Sequence, residues 1–254
     1  MDERIRLDIT AGIARVQLAR PDARNAVDLP LCLQLREAFD EIDADEAVRV
    51  VLLSGQGPVF CAGADLKERT GKDASWVRRR RAASFAAYAA IAACRRPVVA
   101  LVHGAVVGSG GEITLAADFA IAAEGTTFRF PEPHWGTIGA TQRLPRAIGP
   151  RRAKELLFTN RPVGAEKARD LGLVVRVVPQ AELTDVGEAT AQDIAKAPPG
   201  AIALTKRAVD LGAETDLDRG IRIEMAAIEQ NLGTSDWREG VDRFRAAATP
   251  EEAE

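Results

Sequence analysis

One stretch constrains this chain more than any other: His103-Gly-Ala-Val-Val-Gly-Ser-Gly-Gly-Glu-Ile-Thr-Leu-Ala-Ala-Asp118. The run before it, Pro97-Val-Val-Ala-Leu-Val102, is short, apolar and β-branched, the pattern of a strand covered on both faces. Gly108, Gly110 and Gly111 then permit a tight turn and the close approach of another backbone or a ligand. Ile113, Leu115, Ala116 and Ala117 continue at helical spacing. A strand, a turn and a buried helix in this order leave N–H groups of the first helical turn unpaired, able to bind a negatively charged oxygen. Just inside the turn stands Glu112, an ionisable group in otherwise apolar sequence. Chemistry is expected there.

The chain has 254 residues, enough for one large domain or a domain with an appendage. Its net charge of −3 argues against nucleic acid as the main partner but leaves room for an anionic small ligand met by a local basic cluster. Cys32, Cys61 and Cys94 are an odd number without paired spacing, so no disulfide framework or zinc site is expected and a reducing compartment fits. The N-terminus lacks a signal-peptide core, and no apolar run reaches the length of a membrane span. A cytoplasmic protein without a membrane partner is expected.

In chain order, two alternating runs around Ala11-Gly12 predict a hairpin over 4–18. Loop chemistry follows at Arg20-Pro-Asp-Ala-Arg-Asn25, then a helix over 29–42 and a buried strand over 48–53. Val59 to Glu68 is an apolar approach and a small-residue turn; 74–93 is helical and carries Arg78 to Arg81 in succession. Beyond the central stretch, 119–122 and 127–130 read as strands and Pro131–Gly136 as loop. Helix is predicted over 141–160 with a break at Gly149-Pro150, then over 165–171, with a strand over 173–178. After about residue 180 the strands stop, and 183–195, 201–211, 216–232 and 236–247 all read as helices before a frayed tail, Thr249–Glu254. The fold class is therefore α/β with an all-helical C-terminal region.

Several blocks in this order resemble the enoyl-CoA hydratase/isomerase, or crotonase, superfamily, and within it the enoyl-CoA hydratases most. The resemblance runs from Arg20-Pro-Asp-Ala-Arg-Asn-Ala26 to Trp237-Arg-Glu-Gly240. It is strongest at Phe60-Cys-Ala-Gly-Ala-Asp-Leu-Lys-Glu68 and in the glycine-rich stretch, followed by Phe130-Pro-Glu132, Gly136-Thr-Ile138 and Thr141-Gln-Arg-Leu144. It implies a crotonase-type superhelix of ββα units: a core over 1–195 holding the coenzyme A and active sites, and a helical trimerisation region over 196–254. A homotrimer or dimer of trimers is expected. So is an acyl-CoA thioester as ligand, with coenzyme A part of the substrate and no other cofactor or metal.

Addition of water to an enoyl thioester builds negative charge on the thioester oxygen, so two preorganised N–H donors are needed there. By resemblance these are the backbone N–H groups of Ala64 and Ser109, the latter standing where the family usually has glycine. Water addition also needs one carboxylate to take a proton and one carboxyl group to deliver a proton to the α carbon. The resemblance assigns these roles to Glu112 and Glu132, whose separation of 20 residues matches the hydratase spacing. Two plainer readings stand beside this. Ser109-Gly-Gly-Glu112 is also a capping-box pattern, and most loop glutamates such as Glu132 are simply exposed.

Coenzyme A phosphates call for basic side chains. Lys67 matches a family contact and Arg24 is a second candidate, with the carbonyls of Ala62 and the Arg24 region facing the adenine. Four consecutive arginines on a helix spread around its circumference, so Arg78–Arg81 read as a solvated face or subunit contact. Phe244-Arg245 lacks the basic residues that follow in relatives, and Lys206 is a weak substitute. The family's longer glycine-rich run before Thr-Gln-Arg-Leu is reduced here to Gly139-Ala140, a departure that bears on acyl preference and reaction type. Gly139, His134 and Trp135 are candidate pocket residues, a packed tryptophan and an exposed loop histidine being equally open readings. The leading expectation is an enoyl-CoA hydratase giving a 3-hydroxyacyl-CoA by syn addition of water. The alternatives are an isomerase, hydrolase or decarboxylase of the same superfamily, or a non-catalytic acyl-CoA- or RNA-binding member.

Overall fold

A computed structural model describes residues 2–247. The tail read above as frayed lies outside the described residues.

The hairpin forms as expected, with β1 (Ile5–Thr10) antiparallel to β2 (Ile13–Leu18). Helix α1 (Leu29–Ala44) is capped by Asp28, whose carboxylate accepts the Leu31 N–H at 2.9 Å, and buries Leu31, Leu35, Phe39 and Ile42 on one face. It leads to β3 (Val50–Gly55), which is parallel to β2. Helix α2 (Ala74–Ala93) is capped in the same way by Asp73.

From here the chain repeats one unit: a strand in the large sheet, a short strand in a small sheet, then helix. Strands β4 (Val98–Val102) and β5 (Ala105–Val107) lead into α3 (Ser109–Ala116). Strands β6 (Phe119–Ala123) and β7 (Thr127–Arg129) lead into α4 (Arg143–Ile148) and α5 (Pro150–Thr159). The two-residue β8 (Val163–Gly164), α6 (Ala165–Leu171) and β9 (Arg176–Val178) complete the sheets. The large sheet has the order β1-β2-β3-β4-β6-β9 and is parallel after the hairpin; the small one has the order β5-β7-β8.

Two strands of the small sheet are what the sequence reading lacks; the third, β7, was expected over 127–130. Residues 103–108 read as turn because Ala105–Val107 is only three residues long and bounded by glycines; Val163–Gly164 is shorter still. Yet this sheet builds the site. Val106 bridges to Cys61, and Val107 pairs with Arg129, so the 61–64 turn, the glycine turn and the 130–132 segment converge. A Cβ on Gly110 would stand 2.8 Å from Cys61 Cβ, so the convergence requires glycine there.

One core lies between the large sheet and helices α1 to α6. A second lies on the sheet's other face under α7 (Leu183–Ala195), where Gly187 rests on Leu101. Among the described residues no hydrophobic side chain after Ala191 is buried. Helices α8 (Pro199–Ala213), α9 (Leu217–Leu232) and α10 (Asp236–Ala247) pack on one another and leave Val209, Leu217, Met225, Ile228 and Phe244 exposed. Among the described residues no helix is long and apolar enough to cross a membrane.

The four arginines of α2 divide three ways, which corrects the solvated face or subunit contact expected for all of them. Arg78 and Arg79 are exposed. Arg80 is buried, on the stripe that carries Ser84, Tyr88 and Ile91, and bonds to Glu68, Ser84 and the Val27 carbonyl. Glu68 in turn accepts the Leu29 N–H at 2.9 Å, tying the start of α1 to the 66–69 turn. Arg81 turns toward the site described next.

Candidate active site

A narrow cleft of about 90 Å³ opens where the three segments meet. Its walls include Ala62, Gly63, Ala64, Gly108, Ser109 and Glu132. Gly63 adopts φ +98° and sits against the Val107 carbonyl, which brings the 62–64 turn onto the glycine turn. Among the described residues, neither the Ala64 N–H nor the Ser109 N–H donates to a protein acceptor. The start of α3 leaves the second of these donors free, as helix geometry dictates. The Ser109 hydroxyl lies beside the buried Tyr88 hydroxyl, whose acidity burial weakens.

Glu112 and Glu132 are both buried, and the plainer readings of each fail. Glu112 caps nothing: its side chain reaches across to the shortened 139–140 loop, where Oε1 accepts the Ala140 N–H at 2.7 Å. Its Oε2 forms an ion pair with Arg143 Nη1 at 3.2 Å. Ala140 is held at φ +53°, a conformation costing an alanine roughly 1–2 kcal/mol, and is fully buried. The Arg143 guanidinium also stands over the Tyr88 ring, 5.9 Å from its centroid. Both oxygens of Glu112 are thus engaged.

Glu132 has the opposite surroundings. It opens a 3-10 turn, Glu132–Trp135, where plain loop was expected; Pro133 is tolerated because that turn's first residues need no N–H partner. Its side chain is wedged between two glycines: a Cβ on Gly108 would lie 2.9 Å from Oε1, and one on Gly139 would lie 2.9 Å from Cγ. Its Oε2 is buried with no hydrogen-bond partner among the described residues. Burial pushes the carboxyl above the usual glutamate range, and the charge of Glu112 pushes the same way; a backbone N–H and Arg81 oppose them. Consecutive residues, Gly139 and Ala140, therefore serve one carboxyl group by steric clearance and the other by a hydrogen bond.

The other expected site residues are scattered. Trp135 lines the cleft, two-thirds exposed. His134 does not: its Nε2 bonds to the Phe158 carbonyl at 2.8 Å, on the exposed side of the turn. Arg24 and Lys67 are exposed, and the Arg24 carbonyl is occupied by the Ala62 N–H at 2.9 Å. Lys206 is tied to Asp118 at 2.9 Å, which removes it as a candidate for a ligand's phosphate. Three residues at the site were not anticipated. Arg143 stands in the sequence within the Thr141-Gln-Arg-Leu144 motif, and Arg69 and Arg81, which line the cleft, lie in charge runs. For Arg81 the signal was available, since it adjoins Arg80 on the apolar stripe of α2.

The sequence model of the family described as "Enoyl-CoA hydratase/isomerase" matches residues 8–251. The chain is 39% identical to the mitochondrial enoyl-CoA hydratase domain-containing protein 2 of Mus musculus, over 94% of this chain and 83% of that protein. It is 35% identical to a crotonyl-CoA hydratase of Syntrophomonas wolfei, over 95% of each. The crystal structure of an enoyl-CoA hydratase from Bacillus anthracis superposes with a TM-score of 0.93, at 36% identity and over 98% of each chain.

A buried carboxyl group whose pKa is raised favours the folded state below its ordinary pKa and loses that contribution as pH rises through the folded value. Glu132→Gln removes the cost of burying the charge. Its melting temperature should exceed that of the parent at pH 8. The gain should vanish toward pH 4. A gain absent at pH 8, or larger in acid, contradicts the assigned environment of Glu132.

Proposed function

The chain belongs to the enoyl-CoA hydratase/isomerase family, and from that premise we propose that it is an enoyl-CoA hydratase acting on trans-2-enoyl thioesters. The observation that carries the proposal is the unequal pair of buried glutamates beside two free N–H donors. The thioester oxygen takes hydrogen bonds from the Ala64 and Ser109 N–H groups, which stabilise the enolate as it forms. Glu112, ion-paired with Arg143, takes a proton from water as the water oxygen bonds to C3. Glu132, whose surroundings favour the protonated form, delivers a proton to C2. The reaction asks for no group beyond these and coenzyme A as part of the substrate. Arg24 and Lys67 are the proposed phosphate contacts and Ala62 lies on the adenine side; the reduced state of the three buried cysteines fits a cytoplasmic setting.

One observation favours a second reading. Glu132 lines the cleft and Glu112 does not. A single carboxyl group moving a proton between the α and γ carbons makes a double-bond isomerase. Product analysis with crotonyl-CoA and with a 3-enoyl-CoA separates the two. The hydratase reading expects loss of the enoyl-thioester absorbance with formation of 3-hydroxybutyryl-CoA, and a fall in kcat of roughly 10²–10⁴ in both Glu112→Gln and Glu132→Gln. Undiminished activity in Glu112→Gln with conversion of the 3-enoyl substrate sinks hydration and supports isomerisation.

The proposed assembly is a trimer, with or without pairing into a hexamer. It is supported by the exposed apolar faces of α8 to α10, which a monomer would leave in water. Sedimentation should give three or six chain masses, and Ile228→Asp should shift the protein toward single chains. A parent protein that sediments as one chain contradicts the assembly.

A further inference from the structure

The cleft beside Glu132 holds more positive charge than hydration of a neutral chain requires. Arg69 and Arg81 both line it, each half-buried. Among the described residues neither forms an ion pair with an acidic side chain: Glu68, whose charge acts on Arg69, is committed to Arg80, and Glu132, on which the Arg81 charge acts, has surroundings that favour its protonated form. Arg81 is aimed by a 2.8 Å hydrogen bond to the Thr137 hydroxyl, and the Thr137 N–H bonds to the Glu132 carbonyl, so this guanidinium is fixed to the turn that carries the proton donor. Arg69 sits against Arg81 and Arg80, and burial together with these two like charges works against its own ionisation. Two cations gathered in a partly dry cleft repel each other, a cost that an entering anion offsets.

The position of these cations says which part of the ligand the anion belongs to. The coenzyme A phosphates are assigned above to Arg24 and Lys67, both exposed and outside the cleft walls. Arg69 and Arg81 instead line the same cleft as Thr137, Trp135 and Glu132, and Glu132 is the group assigned above to C2 of the acyl chain, so an anion held there belongs to the acyl part. Resting on the hydratase reading, we propose that the acyl group itself carries a carboxylate, held by Arg69 and Arg81. The substrate class is then a short dicarboxylic 2-enoyl-CoA. Guanidinium groups suit this task because their planar donors match the two oxygens of a carboxylate. The chemistry stays balanced: the water oxygen bonds to C3, one proton reaches C2, and the distal carboxylate is unchanged, giving a 3-hydroxy dicarboxylic thioester.

The test compares two five-carbon substrates that differ in the terminal group, glutaconyl-CoA and trans-2-pentenoyl-CoA. The parent enzyme should show a kcat/KM at least about tenfold higher for glutaconyl-CoA, the lower range for a hydrogen-bonded charge pair. That preference should fall about tenfold or more in Arg69→Gln and in Arg81→Gln, and recover in part in Arg81→Lys, which keeps the charge. Calorimetric binding of glutaryl-CoA against pentanoyl-CoA to the parent protein makes the same comparison without catalysis and without any variant having to fold. A parent enzyme that takes pentenoyl-CoA at least as well overturns the proposal while leaving hydration standing. So does an equal loss on both substrates in the two glutamine variants, which would place the arginines on coenzyme A. If neither substrate is hydrated, the hydratase reading falls, and the calorimetric preference alone decides whether the cleft holds a carboxylate.

Discussion

The site depends on one buried oxygen, Glu132 Oε2, that has no partner within the described residues. Leaving a carboxyl group in that condition is costly, and the chain arranges several features to hold it there. Gly108 and Gly139 clear the space on either side, and any side chain at either position would meet the carboxyl arm. The 3-10 turn over Glu132–Trp135 fixes its backbone, and β7 delivers the turn to the same edge as the glycine turn. Glu112, by contrast, spends both oxygens on Ala140 and Arg143. Two chemically identical side chains are thereby made different, and the proposed hydration, with proton transfer in opposite directions, would use that difference.

Local periodicity carried the reading of the fold a long way. The hairpin, the long helices and the buried strands are each long enough for their pattern to be recognised, and caps such as Asp28 and Asp73 mark where helices begin. Of the small sheet only its middle strand, Thr127–Arg129, was legible; Ala105–Val107 is bounded by glycines and pairs with a strand that lies beyond the next strand of the large sheet, and Val163–Gly164 is too short to display a period. The same limit applies to the site. Spacing and motif pointed to Glu112 and Glu132, yet nothing local distinguishes a capping glutamate from one that reaches across to residue 140. The ion pair with Arg143 joins residues 31 apart, and only the packing of α3 against α4 brings them together.

The arginines show how charge runs mislead when read as runs. Arg78 to Arg81 are one block in sequence and three environments in space: solvent, a buried structural clasp and the wall of the cleft. Arg80 holds the start of α1 and the 66–69 turn in register, and that turn places Arg69 beside Arg81. A structural cation and a cleft-lining one are therefore adjacent on one helix, and the field that opposes the upward shift of the Glu132 carboxyl comes from the second of them.

The proposed division of labour between Glu112 and Glu132 depends on the ionisation of Glu132 in the folded protein. Its carboxyl carbon can be followed by carbon-13 resonance in glutamate-labelled protein, and assigned by the signal missing from Glu132→Gln. The midpoint should lie clearly above about 4.3, the value of an unperturbed glutamate. A midpoint at or below that value would mean that Glu132 is charged wherever the enzyme works, and the division of labour between the two glutamates would be wrong.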